Sequence, residues 1–211
     1  MYTEVATESF LRHYVPVARH ELVHSLEGAE RAAKKIGFPL VLKLISLQAL
    51  HKSEVTGVRF VHDLRELAQE YEQLLAIVQK RKFSLQGILV QEYVDGVSTL
   101  IGLKRDPVFG HAIAFGIGGT YTELLKDVTF RICPLTEKDA KEMIMELHMK
   151  DLLFGYRGSP PVNISLLKKT LVTISRIPLR HPEISEMDIN PFVLSKQKGF
   201  VVDARMVTSF E

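Results

Sequence analysis

The apolar residues of this chain change their spacing several times, from every third or fourth position to every second position and back. A helix repeats about every 3.6 residues and a strand every two, so such alternation points to an α/β architecture. After Pro39, the run Leu40 to Ile45 is apolar everywhere except Lys43, which reads as a buried strand interrupted by one cation. Ser25 caps a preceding helix whose apolar face is Ala29, Ala32, Ala33 and Ile36. Gly37 ends that helix and Pro39 stops it from continuing. Further on, Asp63 and Glu66 form a capping box, and Leu64, Leu67, Ala68, Tyr71, Leu74, Leu75 and Val78 recur at helical spacing. The basic run Lys80-Arg81-Lys82 at the end suits the helix dipole.

Weaker signals fill in the rest. Thr3 to His13 reads as a short helix, Val17 to Val23 and Gly57 to Val61 as strands. Gly87 to Val94, Thr99 to Lys104, His111 to Phe115 and Thr129 to Cys133 read as further strands. Thr136 caps a helix to about His148, and Asn163 caps another after the connector Gly155 to Pro161. Met187 to Leu194 and Phe200 to Arg205 predict a hairpin. With 211 residues and no internal repeat, one unit of two lobes is expected, divided at roughly 1–94 and 95–211.

Charge and composition narrow the function. Basic and acidic residues number 27 and 25, a net charge of +2, too balanced for an electrostatic nucleic-acid binder. No segment approaches the run of about 18 apolar residues that spans a bilayer. The start Met1-Tyr2-Thr3-Glu4 lacks the basic and apolar regions of a secretory signal, and one cysteine, Cys133, suits a reducing compartment. A cytoplasmic protein without nucleic-acid or membrane partners is the expectation.

Several positions could carry chemistry. The segment GIGGTY at Gly116 to Tyr121 lacks the third glycine of a dinucleotide fingerprint, and GxxxxGK[ST] is absent. Gly116, Gly118 and Gly119 nevertheless follow an apolar strand, where unobstructed N–H groups could close on phosphate oxygens or merely form a tight turn. Lys43 needs an anion if it is buried, and a phosphate would serve; on an edge strand its head could instead reach water. The loop His51-Lys52-Ser53 could accept a phosphoryl group on imidazole beside a stabilising ammonium, or be an ordinary solvated loop. Asp188 and Asn190 are two apart, so they share a strand face, and the hairpin return brings Asp203 beside them. Oxygen donors without sulfur or imidazole suit a hard cation such as Mg²⁺, although acidic residues in hairpins are common.

These positions lie in GFPLVLKLISLQALHKSEVTGV, ILVQEYVDG, FGHAIAFGIGGTYTELLKDVTFRICPLTEKDA, GYRG, EMDINPF and VVDAR, in that order. From about Glu27 to Arg205 the chain resembles the β subunit of ADP-forming acetyl-CoA synthetase, an ATP-grasp protein related to the β subunit of succinyl-CoA synthetase. The resemblance implies an ATP-grasp fold in which two α/β lobes clasp a nucleotide. It implies an acid–thiol ligase that converts acyl-CoA, ADP and phosphate to carboxylic acid, CoA and ATP through phosphohistidine, with ATP or ADP and Mg²⁺ bound. By position, Lys43 would contact nucleotide phosphates, and His51 would accept the phosphoryl group. Gln91, Glu92 and Tyr93 would form the hinge that meets adenine through backbone groups, and Gly118 and Gly119 the loop over the phosphates. Asn190 and Asp203 would bind Mg²⁺ with Asp188 assisting, and Arg157 would serve phosphate or subunit contacts. Nothing in the chain resembles a CoA-binding Rossmann domain, so an α subunit carrying the CoA site is implied, in an α₂β₂ complex. The chain departs from the family at Glu54, Thr56 and Ser98, where Asp, Gly and Glu are usual. Those departures keep open a degenerate ATP-grasp module that binds nucleotide or partner without turnover.

Overall fold

The computed structural model describes residues 2–46, 57–119 and 127–209. The chain forms two compact units: Ala18–Tyr93 makes the smaller lobe, and the segments before and after it make the larger one. One division falls between Tyr93 and Val94, and the segment up to Val17 groups with the residues after that point. Its helix α1 (Glu4–Leu11) is capped by Thr3, whose hydroxyl accepts from Ala6 N–H.

In the smaller lobe, β1 (His20–Val23) precedes α2 (Leu26–Ile36). The Ser25 hydroxyl accepts from Gly28 N–H at 3.1 Å, and Gly37 leaves the helix at φ 92°, a conformation open chiefly to glycine. Next come β2 (Leu40–Ile45), β3 (Val58–Val61), α3 (Leu64–Arg81) and β4 (Gly87–Glu92). The four strands pair antiparallel in the order β1-β4-β2-β3. Leu40, Leu42, Leu44, Val61, Ile88 and Val90 pack with Ala29, Ala32, Ala33, Leu67, Tyr71 and Leu74. One face of this sheet is therefore closed by α2 and α3. The cap of α3 differs from the expected box: the Asp63 carboxylate accepts from Glu66 N–H, but Glu66 reaches back to the N–H and imidazole of His62. The imidazole offers Glu66 a second donor that Asp63 lacks.

The larger lobe adds β5 (Val97–Asp106), β6 (Gly110–Ile117), β7 (Val128–Ile132), α4 (Glu137–Glu146), α5 (Asp151–Phe154), α6 (Ile164–Ser175), β8 (Ile184–Leu194), β9 (Gly199–Val201) and β10 (Ala204–Thr208). Its sheet runs β10-β8-β5-β6-β7, with β9 also paired to β8. The Asp106 carboxylate closes the β5–β6 turn by accepting from Val108 and Phe109 N–H, which holds it below the usual carboxylate range. Ile101, Leu103, Ile113, Phe115, Met187 and Ile189 face a core shared with Met143, Ile144, Leu167, Leu171 and Ile174. Two sequence boundaries move. The return after β8 breaks into β9 and β10, because Asn190 N–H bonds to Asp203 O and Val202 N–H to Pro191 O between them. Helix α4 stops at Glu146 instead of running to His148, because Asp127 captures the N–H groups of His148 and Met149.

Burial sets the expected response to mutation. Leu67 is fully buried, so Leu67→Ala should cost about 2–5 kcal/mol of stability. Val108 is 78% exposed, and Val108→Ala should change stability by no more than about 0.5 kcal/mol. Urea unfolding followed by circular dichroism checks both.

Candidate functional site

The smaller lobe contributes a buried cation. Lys43 sits in β2, which has β4 on one side and β3 on the other, and only 4% of it is exposed. The edge-strand alternative, with the ammonium in water, therefore fails. Lys43 alternates with Leu42 and Leu44, so it projects from the sheet face that α2 and α3 do not cover. Val41 pairs with Gln91 on that same face, and Gln91 is fully buried.

The hinge residues prove more structural than expected. The Glu92 carboxylate accepts from Arg19 N–H at 2.8 Å and from Arg19 Nε at 2.7 Å. Glu92 N–H donates to Arg19 O and Tyr93 N–H to Pro39 O. Both amide donors and the Glu92 side chain are thus committed within the lobe. The Tyr93 ring is 43% exposed.

The larger lobe gathers the oxygen donors. Asp188 and Asn190 stand on one face of β8, alternating with buried Ile189. The bond from Asn190 N–H to Asp203 O, at 3.0 Å, sets Asp203 beside them, and Arg205 lies opposite Asp188 on β10. Burial pushes the Asp188 carboxyl up, and the charges of Asp203 and Glu186 add to this while Arg205 partly opposes it. Two crowded carboxylates with a neighbouring amide fit a divalent hard cation, whose charge would relieve their repulsion. Among the described residues no larger cluster of His, Cys, Asp or Glu could hold a metal. Asp188 also lines a cavity of about 530 Å³ whose floor is Gly102, Ala112 and Ala114, with Phe130 and Glu186 at its sides.

The glycine loop has a defined start. A Cβ on Gly118 would lie 3.0 Å from both Ser98 C and Thr99 N, so only glycine lets β6 end against β5 there. Gly118 N–H donates to Ser98 O at 2.7 Å and is not available to a phosphate; Gly119 turns away at φ 108°. Ser98, one of the departures from the family pattern, thereby anchors the loop through its carbonyl. Residues 120–126 lie outside the described part of the chain, as do His51, Glu54 and Thr56. Arg157 is not gathered with the oxygen donors: it shows no ion pair to them, and its guanidinium lies 5.3 Å from the Tyr156 ring in an exposed loop at φ 48°. Burial pushes the Cys133 thiol up to about 12, which disfavours its thiolate.

Sequence reading missed Asp127. It is 7% exposed and accepts from His148 N–H, Met149 N–H and His148 Nδ1. Burial alone would raise its pKa, but these donors outweigh burial and hold it below the usual carboxylate range. Asp127 fixes the far end of the loop that starts at Gly118. Its only sequence signal was an acid just before a strand, because its partners lie 21 and 22 residues away.

The ATP-grasp domain family matches residues 1–208. The chain is 41% identical over 200 residues to acetate–CoA ligase [ADP-forming] I of Archaeoglobus fulgidus, covering 93% of this chain and 29% of that protein. It is 39% identical over 212 residues to acetate–CoA ligase [ADP-forming] II subunit beta of Pyrococcus furiosus, covering 97% of this chain and 90% of that subunit. Acetyl-coenzyme A synthetase 1 of Candidatus Korarchaeum cryptofilum, solved with coenzyme A and Mg-AMPPCP and with its phosphohistidine segment pointing towards the nucleotide binding site, superposes with a TM-score of 0.85 at 39% identity. That match covers 98% of this chain and 92% of the other.

Asp127 gives a signed pH test. Its depressed pKa means that the ionised carboxylate stabilises the fold above the ordinary carboxylate range, and that this is lost as pH falls through the depressed value. Asp127→Asn should therefore cost about 2 kcal/mol at pH 7. The gap between variant and wild type should close in acid, as urea unfolding at a series of pH values would report.

Proposed function

The chain belongs to the ATP-grasp domain family, among the β subunits of ADP-forming acetate–CoA ligases, and we propose that it is the nucleotide-binding subunit of such an enzyme. The reaction is acyl-CoA + ADP + phosphate ⇌ carboxylic acid + CoA + ATP. The observation that carries this reading is the presence of both half-sites: buried Lys43 in one lobe, and Asp188, Asn190 and Asp203 in the other.

Phosphoryl transfer asks a protein mainly to position the reactants and neutralise charge. Lys43 would hold the nucleotide's phosphates from the helix-free face of its sheet. Asn190 and Asp203, with Asp188, would hold Mg²⁺, which supplies charge neutralisation to those phosphates when bound. Gly118 and Gly119 would set where the loop approaches them. His51 would take the phosphoryl group on a ring nitrogen, forming an N–P bond as the P–O bond of the donor breaks, and the reverse step would pass it to ADP. Arg157, exposed and stacked on Tyr156, is better placed for a subunit contact than for phosphate. The Archaeoglobus relative is more than three times as long as the part matched here, which supports a CoA site in other sequence. An α subunit would provide it, in an α₂β₂ assembly in the cytoplasm.

Reconstitution tests the reading. ADP- and phosphate-dependent release of CoA from acetyl-CoA should be absent with this chain alone and appear when an α subunit is added. Mg·ATP should label the chain with an acid-labile phosphate, and His51→Ala should abolish label and turnover while leaving ADP binding near wild type. Asp203→Ala should remove most of the Mg²⁺ dependence of ADP binding in calorimetry. Full turnover by the single chain, or a label that survives acid, would overturn the assignment.

A further inference from the structure

The loop between α5 and α6 carries two side chains, Tyr156 and Arg157, that meet each other and leave their remaining surface to solvent. The loop is held firmly at its root. Leu153 and Val162 are buried, and Val162 N–H donates to Leu153 O at 2.9 Å. Ser159 N–H donates to Tyr156 O at 3.0 Å, and Pro160 and Pro161 stiffen the return. Arg157 itself sits at φ 48°, a left-handed conformation that disfavours any residue with a Cβ. Strain of this kind persists only where the surroundings impose it, and it gathers at segments that bind or switch. The Arg157 guanidinium lies 5.3 Å from the Tyr156 ring centroid, within reach of a cation–π contact, and Tyr156 is 48% exposed. Among the described residues no carboxylate pairs with Arg157.

The packing of its root separates this loop from the oxygen donors. Leu153 and Val162 share a core with Met187 and Ile189. Asp188 and Asn190 alternate with those two residues along β8 and face the opposite way. The loop thus springs from the helical layer, on the other side of the sheet from the donors. We infer that it is a preformed docking finger for the α subunit, with Tyr156 and Arg157 as anchors against a carboxylate-bearing surface. This rests on the reading that an α subunit supplies the CoA site. Tyrosine and arginine dominate binding energy at protein interfaces, since a rigid ring and a planar guanidinium fork lose little freedom on docking. Stacking on Tyr156 orients the fork before the partner arrives, and a carboxylate is the group that accepts its two parallel N–H donors.

Analytical ultracentrifugation of the full chain with the α subunit that restores turnover tests the finger, using Tyr156→Ala, Arg157→Lys and Arg157→Gly. Tyr156→Ala and Arg157→Gly should each weaken association roughly 10- to 100-fold. Arg157→Lys keeps the charge but not the fork, and should remain weak. Mg·ADP binding by the Tyr156→Ala chain alone should match wild type, because the loop lies apart from the donors. Arg157→Gly relieves the left-handed strain, so its urea midpoint should equal or exceed that of wild type, whereas a role confined to folding would lower it. Wild-type association in Tyr156→Ala, or full recovery in Arg157→Lys, overturns the finger and leaves the subunit reading standing. Self-association of the chain without an α subunit, abolished by Tyr156→Ala, gives the loop to a second copy and also overturns it. Failure of the wild-type chain to associate with any α subunit overturns the subunit reading itself, and the finger with it.

Discussion

A lobe inserted into the sequence of another must bring its own two ends together, and here that is done by the pairing of β1 with β4. His20 lies opposite Gln91, and just outside that pair Arg19 and Glu92 exchange a backbone bond and a two-point carboxylate contact. The Arg19 side chain is 63% exposed, so the ion pair itself contributes at most about 1 kcal/mol. The backbone ladder is what closes the insertion. Because β1 occupies one flank of β4, the other flank is left for β2, and Gln91 falls beside Val41. The returning strand is thereby set next to the strand that bears Lys43. Closure of the lobe and the placing of Gln91 beside the Lys43 strand follow from one set of strand pairings.

The two faces of that sheet then receive opposite tasks. Leu40, Leu42 and Leu44 point towards α2 and α3 and supply the hydrophobic driving force. Val41, Lys43 and Ile45 point the other way, and a lysine can be kept there because stability comes from the neighbouring positions. The alternation of a strand makes this separation possible within six residues. A helix would have spread the same residues around its circumference.

Much of this was legible in the sequence wherever a local rule decided it. Ser25, Thr136 and Asn163 cap the helices they were expected to cap, and Gly37 ends α2. Local rules failed where a distant partner intervened. Glu66 finds a better donor pair in His62, and α4 ends early because Asp127, from beyond the glycine loop, takes the next two N–H groups. Whether Lys43 lies on an edge or in the middle was undecidable from its own strand, since that depends on where β3 and β4 pair. The oxygen donors Asp188, Asn190 and Asp203 were visible in EMDINP and VVDAR, but their crowding was not. It arises from the break between β9 and β10, which sets Asp203 against Asn190.

The crowding at Asp188 shows how the fold prepares its chemistry. A carboxyl whose pKa is raised by burial and by Asp203 favours its protonated form in the folded chain. Its contribution to stability is therefore fully present at low pH and is lost as pH rises through the raised value. At neutral pH the fold holds these oxygens together against their own repulsion, and the work is done by buried Met187 and Ile189 on either side of Asp188. A divalent cation reverses the balance, since it favours the ionised form that burial opposes. The strand that carries Asp188 and Asn190 is central in its sheet, flanked by β10 and β5. The donors cannot move apart without breaking ladder bonds on both sides, so the sheet itself holds these oxygens against their repulsion.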